Sequence, residues 1–374
     1  MVDSLAALIG NGASIAYNPD LRIETLTSDL LDSFRAAGGD LQSVASDPAV
    51  GNADEGFEAL LGPFDQASEL LQALPGLHPA GPLSAGFEGI RSAAETLRGV
   101  YRQGMALTLD LIAQRAHGRP DGMVAIEILC REIARLSEPS EIAIATLSYD
   151  GLLPSGFLTK WVDFSGSERT LETSDLGDGR SSEIRSMDFT DGRTVESHGL
   201  RVVPDFLPGR ARLINLHGSL GWLRDSARNE YRKFSIDTLR ENEYWSKLRR
   251  GETDWEPVVV LTNIKTRVPE RYPFSIAYET FFQELLTASH WLLVGYGFGD
   301  IPVNETIRRA AMRRAKNQKA PAVLLVGTRS ADELRRVATS RAGIPSDWLT
   351  ASSSGVPEAC SSLEWEAWST SFGS

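Results

Sequence analysis

Four short stretches of this chain end an apolar run in residues able to do chemistry. They are Gly10-Asn11-Gly12-Ala13-Ser14 after residues 5–9, Ser148-Tyr149-Asp150 after 142–146, His217-Gly218-Ser219 after 213–216, and Gly295-Tyr296-Gly297-Phe298-Gly299-Asp300 after 291–294. Glycine is favoured where φ is positive or where the backbone lies against a ligand with no Cβ between. A helix N-terminus following such a turn presents backbone N–H groups to an anion, so the turn from Gly10 to Ser14 is expected to cradle a phosphate. Histidine is the commonest general acid–base side chain, and His217 sits at one of these endings. Asp150 is placed to orient hydroxyl groups, to support its own turn or to cap the next helix. Each stretch alone reads most simply as a tight turn, a core histidine or a cap. Four together point to a site.

Such endings converge only if their strands lie side by side and parallel, because ligands of open parallel sheets bind outside the carboxyl ends of the strands. The text around them fits. Short continuous apolar runs, including "EPVVVLTN" and "PAVLLVGT", alternate with stretches of helical spacing such as "YETFFQELLTA" and "VNETIRRAAMRRAKNQK". That pattern predicts a doubly wound α/β sheet covered on both faces. Residues 26–137 carry apolar residues at helical spacing and predict a large helical insertion after the first strand, whereas 171–199, rich in Ser, Asp, Gly and Arg, predict a variable loop or hairpin excursion.

Composition narrows the function. The formal charge of −12 lacks the basic field that sequence-independent nucleic-acid binding needs. Two cysteines, Cys130 and Cys360, with no CxxC exclude a disulfide framework and a cysteine-rich zinc site, and fit a reducing cytoplasm. None of the five histidines is paired at ligand spacing, so no catalytic metal is expected. The GxSxG, Walker A and HExxH patterns are absent, and "GNGASI" puts Ile15 where the dinucleotide fingerprint needs its third glycine. Within twelve residues stand Arg308, Arg309, Arg313, Arg314, Lys316 and Lys319, expected to form a solvated helix face or else to meet an acidic neighbouring subunit.

Together the four stretches resemble the SIR2-like (sirtuin-fold) family, most closely its bacterial branch of NAD-consuming defence proteins. "GNGAS" looks like that family's first nucleotide-binding turn, "ATLSYD" stands where it carries Thr-x-Asn-Tyr/Ile-Asp, "NLHGS" matches its Leu-His-Gly, and "VGYGFGD" with Asn304 is similar to its late glycine-rich turn. The resemblance implies a single Rossmann-like domain over 1–374 that takes NAD as substrate without a metal. It implies catalytic roles for His217, Ser148 and Asp150, and NAD contacts from Gly10, Asn11, Gly12, Ala13, Ser14, Tyr149, Gly295, Gly297, Phe298 and Asn304. The implied activity is NAD hydrolysis to nicotinamide and ADP-ribose by a cytoplasmic effector subunit of anti-phage defence. Such an effector is expected to act as a homo-oligomer with a second protein of ATPase, nuclease or Argonaute type. Neither direct nucleic-acid binding nor membrane association is expected.

Two departures bear on this. The deacylase branch needs a four-cysteine zinc ribbon that two cysteines cannot supply. Ser148 stands where the family has asparagine, and losing one polar contact of about 1–3 kcal/mol predicts turnover slowed by about one to two orders of magnitude. The competing expectation is a SIR2-like module that binds NAD or ADP-ribose without turnover, as sensor or scaffold. An ordinary NAD-dependent oxidoreductase is disfavoured by the broken fingerprint.

Overall fold

The computed structural model describes residues 4–46, 56–73, 84–116, 120–136, 141–157, 161–162, 168–176, 184–189, 193–200, 210–225, 227–261, 265–317 and 319–372. In chain order, β1 (Ser4–Ile9) is followed by α1 (Asn11–Tyr17), α2 (Ile23–Ala37), α3 (Gly39–Ser46), α4 (Gly56–Ala73), α5 (Ser84–Ala116) and α6 (Pro120–Arg135). Next come β2 (Glu141–Thr146), α7 (Leu152–Phe157), β3 (Trp161–Val162), β4 (Glu168–Arg169), β5 (Glu172–Ser174), β6 (Ile184–Phe189), β7 (Arg193–Gly199) and β8 (Arg210–Asn215). The chain continues through β9 (Gly218–Asp225), β10 (Glu230–Lys233), α8 (Ile236–Glu241), α9 (Tyr244–Arg250) and β11 (Trp255–Val259). It closes with α10 (Phe274–Thr287), β12 (His290–Val294), α11 (Ile301–Lys316), β13 (Ala322–Val326), α12 (Ala331–Ala342), β14 (Leu349–Ser352) and α13 (Leu363–Ser369). None of the described helices is long and apolar enough to cross a membrane.

The main sheet has the order β14-β13-β12-β1-β2-β8-β5, and every neighbouring pair runs parallel. Its continuous apolar runs have a simple cause: both faces are covered. Leu5, Ala7, Ile9, Ile144, Leu292 and Val294 point into one buried cluster, and their alternates Ala6, Leu8, Ala145, Trp291 and Leu293 into the other. Helices of the insertion cover the first face and α10, α11 and α12 the second. This is the expected doubly wound α/β fold. From β1 the chain steps outward to β2 and β8, then returns to the opposite side of β1 to lay down β12, β13 and β14. The direction of winding therefore reverses between β1 and β12, which is where a crevice opens in such sheets.

The sequence pattern did not reveal the second sheet, β11-β9-β10-β7-β6, which is antiparallel throughout. The run "EPVVVLTN" contributes β11 to it rather than a strand to the parallel sheet. Residues 171–199 supply β5 at the edge of the main sheet and the β6–β7 pair of the second. His217 sits where the two sheets join. At Gly218 the backbone has φ +84°, and a Cβ there would lie 1.9 Å from the Val258 carbonyl oxygen, so the turn after the histidine accepts only glycine.

The basic run on α11 is not a uniformly solvated face. Arg314 is buried and donates to the carbonyls of Leu285, Leu286 and Ala288 at the end of α10, while Arg309 and Arg313 lie over the ring of Phe282.

At the switch point the two turns interlock backbone to backbone. The Gly10 amide donates to Val294 O (2.8 Å) and the Gly12 amide to Gly295 O (3.1 Å). A Cβ on Gly10 would lie 2.5 Å from Gly295 O, and Gly295 itself has φ +60°. Substituting Gly10→Ala is expected to cost about 1–3 kcal/mol through this overlap. Gly297→Ala, where a Cβ meets nothing within 4 Å, is expected to stay within about 0.5 kcal/mol. Urea unfolding of both variants measures the difference, and equal costs would contradict the interlock.

Candidate functional site

A cavity of about 610 Å³ opens at the carboxyl ends of β12, β1, β2 and β8. Its floor is polar and comes from strand ends: Asn11, Ser148, Asp150, His217, Gly295, Gly297 and Asp300. Its opposite wall is apolar and comes largely from the helical insertion, with Leu26, Phe57 and Ile112. One side chain of that wall is charged, Glu58 in the first turn of α4.

Under the floor runs a chain of short hydrogen bonds. Ser14 Oγ donates to Asp150 Oδ2 (2.7 Å) and lies 2.8 Å from Ser148 Oγ. An ionised carboxylate only accepts, so the Ser14 proton goes to Asp150 and Ser14 accepts from Ser148. Ser148 thus directs its single proton inward and presents acceptor lone pairs to the cavity. The other oxygen of Asp150 accepts from the Leu152 amide (3.1 Å) at the start of α7, so the carboxylate also caps that helix. Burial raises the Asp150 carboxyl above its ordinary range, against the opposing pull of the Ser14 and Leu152 donors.

Across the cavity stands a charged network. His217 Nε2 lies 3.1 Å from Asp300 Oδ2, and the imidazole stacks on the Tyr149 ring at 6.3 Å between centroids. Neither Nε2 nor Oδ2 has an aligned hydrogen-bond partner among the described residues, although both are buried. The second oxygen of Asp300 caps α11 by accepting from the Val303 amide (3.0 Å). Lys265 Nζ lies 3.4 Å from Asp300 Oδ2 and 2.8 Å from Glu58 Oε2. The Tyr149 hydroxyl is shared between the Val260 carbonyl and Glu58 Oε1. Burial alone would raise the Asp300 carboxyl, but His217, Lys265 and the Val303 amide outweigh it and hold it down at about 2. Burial, then Glu58, push the Tyr149 phenol well above its ordinary range, so it stays a donor.

Of the residues singled out from the sequence, Asn11, Ser148, Tyr149, Asp150, His217, Gly295 and Gly297 line this cavity. Gly10, Gly12, Ala13 and Ser14 lie beneath it: the glycines pack on the Gly295 turn, and Ser14 holds the floor. Asn304 is buried with its amide committed to the glycine-rich turn, donating to Phe298 O (3.0 Å) and accepting from Tyr296 Oη (2.8 Å). Phe298 is likewise buried, in the left-handed region at φ +56°. Sequence reasoning missed Glu58 and Lys265 and gave no role to Asp300. Asp300 alone left a signal, as an acid preceding Ile-Pro at a helix start. Asp150 also borders a second cavity of about 580 Å³, lined by Asn215, Lys233 and Asp237 among others, on the far side of β2 and β8 from the switch point.

A doubly wound α/β scaffold with a histidine, carboxylates and a serine gathered at its switch point has the form of a nucleotide-handling fold. The family model described as SIR2-like domain matches residues 143–344, more than half of the chain. The chain therefore belongs to the SIR2-like domain family, whose domains bind NAD and which includes NAD-dependent enzymes. The matched segment contains Ser148, Asp150, His217 and Asp300; the turn from Gly10 to Ser14 and the insertion precede it. A search of curated proteins finds no match.

The network makes a pH-dependent prediction. A carboxyl held below its ordinary value of 3.8 stabilises the fold above that value, and this contribution is lost as pH falls through about 2. Asp300→Asn is expected to lower the unfolding free energy by about 2 kcal/mol at pH 7, and the gap to shrink by roughly half at pH 3. Urea titrations of both proteins at the two pH values measure it, and a gap independent of pH would contradict it.

Proposed function

We propose that this chain hydrolyses the N-glycosidic bond of NAD, releasing nicotinamide and ADP-ribose. The observation that carries the reading is His217, buried at the switch-point cavity with Asp300 Oδ2 3.1 Å from its Nε2. The cavity supports it in size, since pockets for ligands of this order span about 300–1,000 Å³.

The chemistry asks little acid catalysis of the protein. When the bond from ribose C1′ to the pyridinium nitrogen breaks, its electron pair returns to that nitrogen and nicotinamide departs neutral. Water supplies the new C–O bond and sheds one proton. His217 accepts that proton on the ring nitrogen that does not face Asp300, and the Asp300 carboxylate, beside Nε2, stabilises the imidazolium that results. Ser148, turned to present lone pairs, supports the positive charge that grows on the ribose, an electrostatic contribution of the kind that usually dominates catalysis. Asp150 holds Ser14 and hence Ser148 in place. Asn11 and the Gly295–Gly297 turn fit the adenosine side of the ligand.

The reading extends to biology as the resemblance implies it: an effector subunit of anti-phage defence that depletes NAD in the cytoplasm, as a homo-oligomer with a partner protein of ATPase, nuclease or Argonaute type. Purified chain incubated with NAD is expected to release nicotinamide, and His217→Ala to reduce the rate by about 10²- to 10⁴-fold while NAD still binds. Tight binding with no nicotinamide from the wild type, alone or with partner protein, would instead favour a sensor or scaffold.

A further inference from the structure

The cavity that this reading assigns to NAD has an electrostatic problem. Three carboxylates line it, Glu58, Asp150 and Asp300, against Lys265 as the single Lys or Arg among its described lining residues. That lysine is already engaged, 2.8 and 3.0 Å from the two oxygens of Glu58 and 3.4 Å from Asp300. A dinucleotide brings two phosphate charges into this space. In the partly buried interior, like charges at such distances repel far more strongly than in water.

We propose that Lys265 is the diphosphate-recognition residue of the cavity and that Glu58 is its resident counter-ion, displaced when an anionic ligand binds. The inference rests on the NAD reading and names the contact and the regulation of the same site. Of the two carboxylates on Lys265, Glu58 is the one that can leave. Its side chain is 20% exposed against 6% for Asp300, and Asp300 is tied to His217 and to the start of α11. Glu58 also sits in the first turn of α4, where the positive end of the helix stabilises its carboxylate whether or not the lysine is paired with it.

Lys265 therefore trades a carboxylate for a phosphate and keeps a charged partner throughout. Because Glu58 belongs to the insertion, the exchange also couples ligand binding to α4. While the pair is closed, Glu58 ties α4 to Lys265 and to Tyr149 in the turn after β2. When the ligand takes Lys265, that tie is reduced to the Tyr149 hydroxyl. The insertion thereby acts as a latch over the cavity rather than as a passive cover.

The test is calorimetric titration of the full chain with ADP-ribose, which carries the diphosphate but no nicotinamide to release. Glu58→Gln is expected to bind about tenfold tighter than wild type, Lys265→Met at least about tenfold weaker, and the Glu58→Gln gain to vanish in the Lys265→Met background. A purely structural role for Glu58 predicts the opposite sign, since loosening α4 would weaken binding. Unchanged or weaker binding by Glu58→Gln, or undiminished binding by Lys265→Met, overturns the latch while leaving the NAD reading standing. Failure of the wild type to bind either ADP-ribose or NAD overturns both.

Discussion

Two glycine turns touching backbone to backbone create the crevice on which everything else in this protein depends. Gly10 and Gly12 close on Gly295 at distances that leave no room for a Cβ, and their amides donate to Val294 O and Gly295 O at the end of β12. That contact lies where the sheet reverses its winding, and the reversal lets the loops after four parallel strands face one space. The glycines thus serve the scaffold first. Their closeness brings Asn11 and Gly297 to the cavity from opposite strands and leaves Ser14 free to organise the floor beneath them.

On that scaffold two kinds of polar organisation meet. One is a line of neutral donors ending in Asp150, which fixes the proton of Ser148. The other is a run of alternating charge, Glu58, Lys265 and Asp300, with the imidazole of His217 set beside the last. Asp300 is the pivot of the second: one oxygen caps α11 and the other faces the histidine and the lysine. A buried charge lacking such partners would be costly, which explains why a site with three carboxylates persists inside a well-packed fold. The helical insertion takes part in this balance through Glu58, so it is chemically as well as sterically part of the site.

Much of this was legible in the sequence because parallel strands buried on both faces write themselves as unbroken apolar runs. Residues 5–9, 142–146 and 291–294 read that way, and the polar text after each fell where the cavity lies. Other features left weaker traces. The edge strand Glu172–Ser174 lies in polar sequence, and Leu349–Ser352 is only four residues long. The antiparallel sheet escaped notice because "EPVVVLTN" is as apolar as any parallel strand, and periodicity says nothing of a strand's partner. Glu58 reads as an ordinary polar position of an amphipathic helix and Lys265 as a loop residue. Their meeting depends on how the insertion folds back over the sheet, 207 positions apart in the chain, and no local pattern carries that information.

The most direct measurement is a crystal structure of the chain with ADP-ribose bound. The account predicts the ligand at the switch point, with its terminal ribose within reach of the His217 imidazole and Ser148 Oγ and its diphosphate nearest Lys265. Density for the ligand in the second cavity beside Lys233 and Asp237, with His217 and Asp300 untouched, would contradict it.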